Sequence, residues 1–405
     1  MLRTLLVAAL LALLGGCATD RAAKASAEKP PVTILVSIDG FRPDYLGLGS
    51  TPTLDALAAG GVRAAMRPSF PTKTFPNHYT LVTGLRPDEH GIVDNNMEDT
   101  RRPGARFSLG NAKEALDPFW WDAAEPIWVT AERQGVRTAT MFWPGSEVPI
   151  RGVRPSTWQR YDQSISNRQR VEAVMDWLRR PPERRPRFVT LYFDTVDTAG
   201  HAKGPGAPEV MAAVAEVDAR IGELVAEMKA LGQPANLVIV SDHGMAATRS
   251  ARVVRIDRLL DPAAIRVVSD GAFLGINPLP GREAEVERVL LAPPPNLECW
   301  RRGELPARFR YGQNARVPAI FCLAATGWLV AAGEPTWPAD GGAHGYDDAA
   351  PEMAALFIAH GPGFAERTTL PPFDNVAVYT LLARLLGVRP AVEGDASVAD
   401  RALRR

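Results

Sequence analysis

The sequence carries no net charge: 46 lysines and arginines balance 46 aspartates and glutamates, and the isoelectric point is neutral. That leaves no basic field of the kind that holds DNA or RNA, so a polymeric nucleic acid is not expected as a partner. Cysteine is scarce, with three residues in 405. Beyond Cys17 only Cys299 and Cys322 remain. They either pair in an oxidising compartment or stay as two buried thiols. There is no internal repeat, and the one biased tract is the Ala/Lys/Pro-rich stretch from Asp20 to Pro31, which reads as a tether. Apolar and charged fractions are ordinary, 46% and 23%, so a substantial core is expected in one large α/β domain or two smaller ones.

The apolar run from Leu5 to Leu14 follows Arg3 and is too short to span a membrane as a stable anchor. It ends in Leu14-Gly15-Gly16-Cys17. This resembles a bacterial lipoprotein signal, residues 1–17, cut before a Cys17 that would then carry lipid. An ordinary secretory signal with an incidental cysteine is the alternative. Ala18, rather than Asp, follows the cysteine, which by the same resemblance implies sorting to the outer membrane; the expected place is the bacterial cell envelope, lipid-anchored in the periplasm, with the face of the outer membrane left open. The expected plan is a signal, a tether over 18–31 and a catalytic domain over 32–400. The chain is expected to be a monomer that meets the membrane only through its N-terminal lipid.

Strand and helix patterns alternate along the rest. Val32 to Ser37 reads as a buried strand, Thr51 to Ala59 as a helix stopped by Gly60-Gly61, and Thr74 to Gly84 as a second helix. Residues 98–118 look irregular. Glu125 to Gln134 is a predicted helix, Arg137 to Phe142 a strand, Asn167 to Arg179 a helix and Phe188 to Phe193 a strand. The loop after that strand is expected to hold Asp197 and His201. Glu209 to Leu231 follows as a long amphipathic helix, then a strand over Leu237 to Val240. Residues 252–335 are less regular, with one helix at Glu283 to Leu291, and read as a smaller insert. Met353 to Ala359 closes the strands, and Asn375 to Leu386 the helices. The alternation predicts an α/β fold with a mainly parallel central sheet covered by helices on both faces.

Four candidate residues, Asp39, Asp197, Asp242 and His243, fall just after predicted strands, where open α/β sheets bind ligands. Asp39 ends the first strand. Asp197 and His201 stand in DTAGH, Asp242 and His243 in SDHGM, and His344 in GGAHGY. Oxygen and imidazole ligands without thiolate suit zinc and fit calcium poorly. Thr74, in TKTFPNH, precedes a helical run, where unpaired backbone N–H groups favour an alkoxide or a phosphate. Taken alone, Thr74 could equally be an N-cap, and any one Asp–His pair a structural hydrogen bond. His78, His90 and His360 read as structural or supporting.

The segments VSIDGFRPDYL, PTKTFPNHYTLVTGLRPDEHGIVDNNM, DTVDTAGH, SDHGM, GGAHGY and MAALFIAHGPGF, in that order, resemble the nucleotide pyrophosphatase/phosphodiesterases of the alkaline phosphatase superfamily. The resemblance spans nearly all of the expected mature chain. The extra small modules and nuclease-like domain of some animal members find no match in it. It implies an alkaline phosphatase-like fold and two zinc ions. One zinc would be held by Asp197, His201 and His344, the other by Asp39, Asp242 and His243 together with Thr74. Thr74 would be the nucleophile and Asn95 a side-chain donor to a phosphate oxygen. Phe75 and Tyr161 match positions that sandwich a nucleobase, and Tyr192 a further wall of the site; plain core packing is the alternative for all three.

Zinc coordination would make a threonine hydroxyl a competent nucleophile near neutral pH. The implied reaction is hydrolysis of a phosphodiester or pyrophosphate bond in a nucleotide or related small molecule, through a covalent threonine intermediate. Alternatives on the same fold are a phosphomonoesterase, a phosphonate hydrolase or a phosphodiesterase of phosphocholine lipids. A further alternative is an inactive surface-binding lipoprotein, which the intact nucleophile and six ligands speak against. Arg42 complicates the choice between diester and monoester.

Overall fold

The computed structural model describes residues 29–404. Cys17, the signal segment and most of the tether lie outside the described residues. No helix among the described residues is long and apolar enough to cross a membrane.

The central sheet has nine strands: β1 (Val32–Ile38), β2 (Val62–Arg67), β3 (Thr138–Met141), β4 (Thr157–Gln159), β5 (Phe188–Phe193), β6 (Ala235–Val240), β7 (Ala355–His360), β8 (Thr368–Thr369) and β9 (Phe373–Asp374). Their spatial order is β8-β2-β7-β6-β1-β5-β3-β4, with β9 also pairing with β2. Only β7 runs against its neighbours, β6 and β2; every other pairing is parallel. β1 is buried along its whole length, which is why it reads as a continuous apolar run.

The main helices are α1 (Pro52–Gly60), α2 (Thr74–Thr83), α3 (Asn167–Leu178), α4 (Thr195–Lys203), α5 (Pro208–Ala230) and α6 (Ala377–Leu386). One face of the sheet packs α1, α3 and α5 against Ile34, Val36, Val189 and Leu191. The other packs α2, α6 and the helix Ile127–Arg133 against Leu35, Phe188, Val238 and Phe357. Helix α5 buries Val210, Val214, Val217, Ile221, Leu224 and Met228, spacings of three and four that keep one stripe on the sheet. Helix α3 begins with a capping box between Ser166 and Gln169.

A second, four-stranded antiparallel sheet lies within residues 265–324, in the order Ile265–Ser269, Phe273–Pro278, Ile320–Ala324, Leu297–Arg301. Cys299 and Cys322 face each other across its last pair and form a disulfide. Of the two alternatives for these cysteines, pairing is the one found.

Two expectations change. Residues 98–118 are not irregular throughout: Asn96–Glu98 and Arg106–Ser108 make a short hairpin, and Ala112–Ala115 a helical turn. Three-residue strands are too short to show a period in sequence. Asp197 and His201 sit on helix α4, not on a loop. Gly200 disguises that helix in the sequence. A Cβ there would come within 3.0 Å of the Met245 side chain, so the glycine reflects close packing and not a break.

Candidate active site

Three neighbouring parallel strands, β6, β1 and β5, end at the same level. Ile38 pairs with Phe193, and Ser37 with Val240. The next residues along each strand are therefore brought together: Asp39 after β1, Asp242 and His243 after β6, and α4 with Asp197 and His201 after β5. This is a sheet's carboxyl edge acting as a site, the position expected from the strand pattern. Gly40 makes the turn possible. Its φ is +69°, and a Cβ would lie 3.0 Å from the Asp197 backbone.

Helix α4 sets Asp197 and His201 one turn apart on one face. His344 arrives from the strand pair Gly341–Ala343 with Ala246–Thr248. Its loop is tied to the segment before α2, because Gly345 N–H donates to Thr72 Oγ1 at 2.9 Å and Thr72 Oγ1 donates to the Tyr346 carbonyl. Gly341 lets that strand lie against α4, since a Cβ would fall 2.1 Å from the His201 carbonyl oxygen.

Each of the three imidazoles has its Nδ1 against a backbone carbonyl: His201 with Gly342 (2.8 Å), His243 with Gly244 (2.9 Å) and His344 with Thr72 (2.8 Å). A carbonyl can only accept, so Nδ1 carries the proton and Nε2 is left as a lone pair. Those Nε2 atoms face carboxylates. His201 is 3.5 Å and His344 3.8 Å from Asp197, while His243 is 3.4 Å from Asp39 and 3.0 Å from Asp242. The His243 and His344 rings stack at 3.6 Å and join the two sets.

Acceptors facing acceptors need a cation between them. The buried oxygens Asp39 Oδ1, Asp197 Oδ1 and Asp242 Oδ2 have no hydrogen-bond partner among the described residues. Burial, then the charges on Asp242 and Asp197, push the Asp39 carboxyl well above the usual carboxylate range. Burial holds His344 far below the usual imidazole range, so it stays in the neutral form that ligates. Burial pulls His243 down, but the Asp242 carboxylate outweighs it and lifts His243 above its ordinary value. Carbonyl-oriented histidines with orphan carboxylates form a donor set that fits a divalent metal.

Asp197, His201 and His344 group as expected, with all donor atoms within 4.8 Å of one another. Asp39 groups both with Asp197 and His243 and with His78 and Asp242. His78 fits a ligand role poorly, because Ser37 Oγ is 2.8 Å from its Nε2 and the Thr74 carbonyl 2.9 Å from its Nδ1. It supports the turn from below, as expected of it. His90 is likewise structural, held by Thr80 and the Pro76 carbonyl, and burial pushes its pKa down to about 3.

Thr74 is the first residue of α2, and Lys73 occupies the cap position. The N-cap alternative for Thr74 therefore does not hold. Its Oγ1 lies 3.3 Å from His243 Nε2, beside the carboxylates and at the positive end of the helix. The buried Asn77 clamps the approach to this turn by accepting from Ser69 N–H and donating to the Pro71 and Lys73 carbonyls. Asn95 Oδ1 accepts from Phe75 N–H at 2.9 Å, which fixes the amide and leaves its Nδ2 donors for a ligand.

Beside Thr74 opens a cavity of about 330 Å3 whose lining includes Phe75, Trp121, Phe142, Tyr161 and Tyr192. Phe75 and Tyr161 thus share one slot. Tyr192 also lines it, but its hydroxyl donates to Asp39 Oδ2 at 2.7 Å and so supports a carboxylate of the donor set. Arg42 is committed elsewhere, to Asp44 and the Met245 carbonyl. Sequence reasoning did not find Asn77, Asp194 or Trp121. Only the PNHY run next to the threonine hinted at the first.

Comparisons with known proteins agree with this geometry. Residues 33–347 match the family model for type I phosphodiesterase / nucleotide pyrophosphatase. The chain is 36% identical over 380 residues to ectonucleotide pyrophosphatase/phosphodiesterase family member 3 of Mus musculus, covering 89% of this chain and 42% of that protein. It therefore spans about two fifths of that relative's length. It is 37% identical over 388 residues to bis(5'-adenosyl)-triphosphatase ENPP4 of Bos taurus, covering 94% of this chain and 83% of that one. The solved structure of murine ectonucleotide pyrophosphatase/phosphodiesterase 5 matches with a TM-score of 0.87 at 34% identity, over 92% of this chain and all of that one. An inactive threonine-to-alanine variant of that murine protein, in complex with AMP, matches equally well. With its alkaline phosphatase-like fold, the chain belongs to the type I phosphodiesterase / nucleotide pyrophosphatase family.

Proposed function

We propose that this protein hydrolyses a phosphodiester or pyrophosphate bond in nucleotides, using Thr74 as nucleophile and two zinc ions as cofactors. One observation carries this: Thr74 Oγ1 stands at a helix N-terminus, 3.3 Å from His243, beside three unpartnered carboxylate oxygens and at the mouth of an aromatic-walled cavity. Asp197, His201 and His344 would hold one zinc, and Asp39, Asp242 and His243 the other, with Thr74. When bound, zinc lowers the pKa of a coordinated hydroxyl or water and offsets charge on phosphoryl oxygens.

Thr74 Oγ1 attacks phosphorus in line with the leaving group. A phosphothreonine forms as the bond to the departing alcohol or phosphate breaks. Asn95 Nδ2 and the Thr74 N–H at the start of α2 hold the non-bridging oxygens through the transition state. Phe75 and Tyr161 flank the base. Water then attacks the phosphothreonine, restores the hydroxyl and releases a nucleoside 5′-monophosphate.

A monoester carries more charge than a diester and calls for a further cation. Among the described residues Arg160 is the one arginine lining the cavity, and its side chain is 63% exposed. This supports a diester. The AMP complex of the murine relative and the triphosphatase name of the bovine one support a nucleotide. The test compares the purified protein on an aryl phosphodiester and an aryl phosphomonoester, with metal analysis alongside. Preference for the diester and about two zinc ions per chain are expected. A strong preference for the monoester would overturn the assignment.

A further inference from the structure

Behind the aromatic slot lies a buried ion pair that the proposed chemistry does not use. Arg170, on α3, is 2% exposed. Its Nη1 donates to Asp194 Oδ1 at 2.6 Å and to the Tyr192 carbonyl at 3.0 Å. Its Nε donates to the Ile165 carbonyl at 2.9 Å, and its guanidinium lies 5.0 Å over the Phe142 ring. The second oxygen of Asp194 accepts from the Tyr161 hydroxyl at 3.2 Å and the Gln163 amide at 3.1 Å. One charge pair thus fastens α3, the 161–165 segment and the end of β5 together.

The strand end beside it is strained. Phe142 has φ +63°, a conformation costly for any residue with a Cβ. It is held there in part by Thr190 Oγ1, which donates to its carbonyl at 2.9 Å. The Phe142 ring meets Tyr161 edge-on at 5.1 Å. Tyr161 is 43% exposed, and its other ring contact is Tyr192 at 6.2 Å. Two edge contacts leave a half-exposed ring free to swing about its Cα–Cβ bond, whereas a hydrogen bond from its hydroxyl to a fixed carboxylate holds the far end of the ring in place. Stability is a weak reason to keep such a pair, since buried ion pairs are often replaceable by apolar groups at little cost.

We propose that the Arg170–Asp194 pair is a positioning element of the substrate slot: it pins the Tyr161 hydroxyl, and with it the place and axis of the ring, and thereby the discrimination between ligands with and without an aromatic base. The claim rests on the slot reading given above. It makes Asp194 a positioning residue that acts through Tyr161.

The test measures binding of AMP and of ribose 5-phosphate to the Thr74→Ala protein by titration calorimetry. Tyr161→Phe keeps the ring and removes the bond. It is expected to weaken AMP about three- to tenfold more than ribose 5-phosphate. Asp194→Asn is expected to act in the same direction. The two substitutions combined should cost no more than the larger alone, because they break one contact. Equal weakening of both ligands, or fully additive losses, would overturn the proposal, as would AMP binding no tighter than ribose 5-phosphate at the outset. Should Asp194→Asn fail to fold, the Tyr161→Phe comparison decides by itself. An enzyme that prefers monoesters refutes the diesterase reading, yet leaves this comparison of base-bearing and base-free ligands able to judge the pair.

Discussion

The substitution Asp39→Asn is expected to change the sign of its effect with metal content. Asp39 is 1% exposed, and its Oδ2 accepts from Tyr192 at 2.7 Å. Its Oδ1 has no donor and faces His243 Nε2 at 3.4 Å. In metal-free protein that carboxylate is a cost, crowded by Asp242 and Asp197. Asparagine keeps an acceptor for Tyr192 and removes the charge. A buried polar group without a partner costs about 1–3 kcal/mol, so the variant should gain roughly that much in chelator, seen as a melting temperature a few degrees higher. With zinc present the same change removes a ligand. A bound ion at a thousandfold excess over its Kd stabilises by about 4 kcal/mol, and losing most of that reverses the sign. Thermal unfolding of both proteins, in EDTA and in excess zinc, reads the difference. Equal destabilisation in both buffers would refute the reasoning, because Asp39 would then be a structural carboxylate and no ligand.

Thr74→Ala should abolish nearly all turnover while metal content stays the same and stability shifts by less than about 1 kcal/mol, checked by kinetics, metal analysis and unfolding. Asn95→Ala should lower kcat by about 10²–10³, as for loss of one oxyanion donor. Asn95→Asp still accepts from Phe75 N–H but has no donor, so recovery of activity in that variant would argue against the donor role. Asp94, buried beside Asn95, has its pKa pushed up by burial from 3.8 to about 6. The native state therefore holds its proton more tightly than the unfolded chain does. That contribution, about 3 kcal/mol, is full below pH ~4 and is lost as pH rises through ~6. Urea unfolding of wild type and Asp94→Asn between pH 4 and 7.5 should show the stability gap closing toward low pH; a gap constant across that range would count against it.

The sequence by itself determined the fold class and the ingredients of the site. Burial on both faces makes β1, β5, β6 and β7 continuous apolar runs, and a one-faced stripe marks α5, so the alternating pattern was legible from periodicity. Asp39, Asp197, Asp242 and His243 stood out because each follows a strand, and Thr74 because it opens a helix, whereas the roles of Thr74, Asn95, His344 and the slot aromatics were legible only through the family resemblance of their motifs. What the chain order could not decide is which groups meet. Asp39 and Asp242 are 203 residues apart, and only the parallel register of β1 with β6 sets them side by side. Tyr192 gives its hydroxyl to Asp39 because β5 lies next to β1, a contact that alternation along one strand does not encode. The helix carrying Asp197 and His201 was hidden by Gly200, whose place depends on Met245 packed against it. Local propensity follows from neighbours in sequence, whereas burial, orphaned carboxylates and the tautomer of each histidine follow from neighbours in space. Those are settled when strands and helices distant in the chain close over one another.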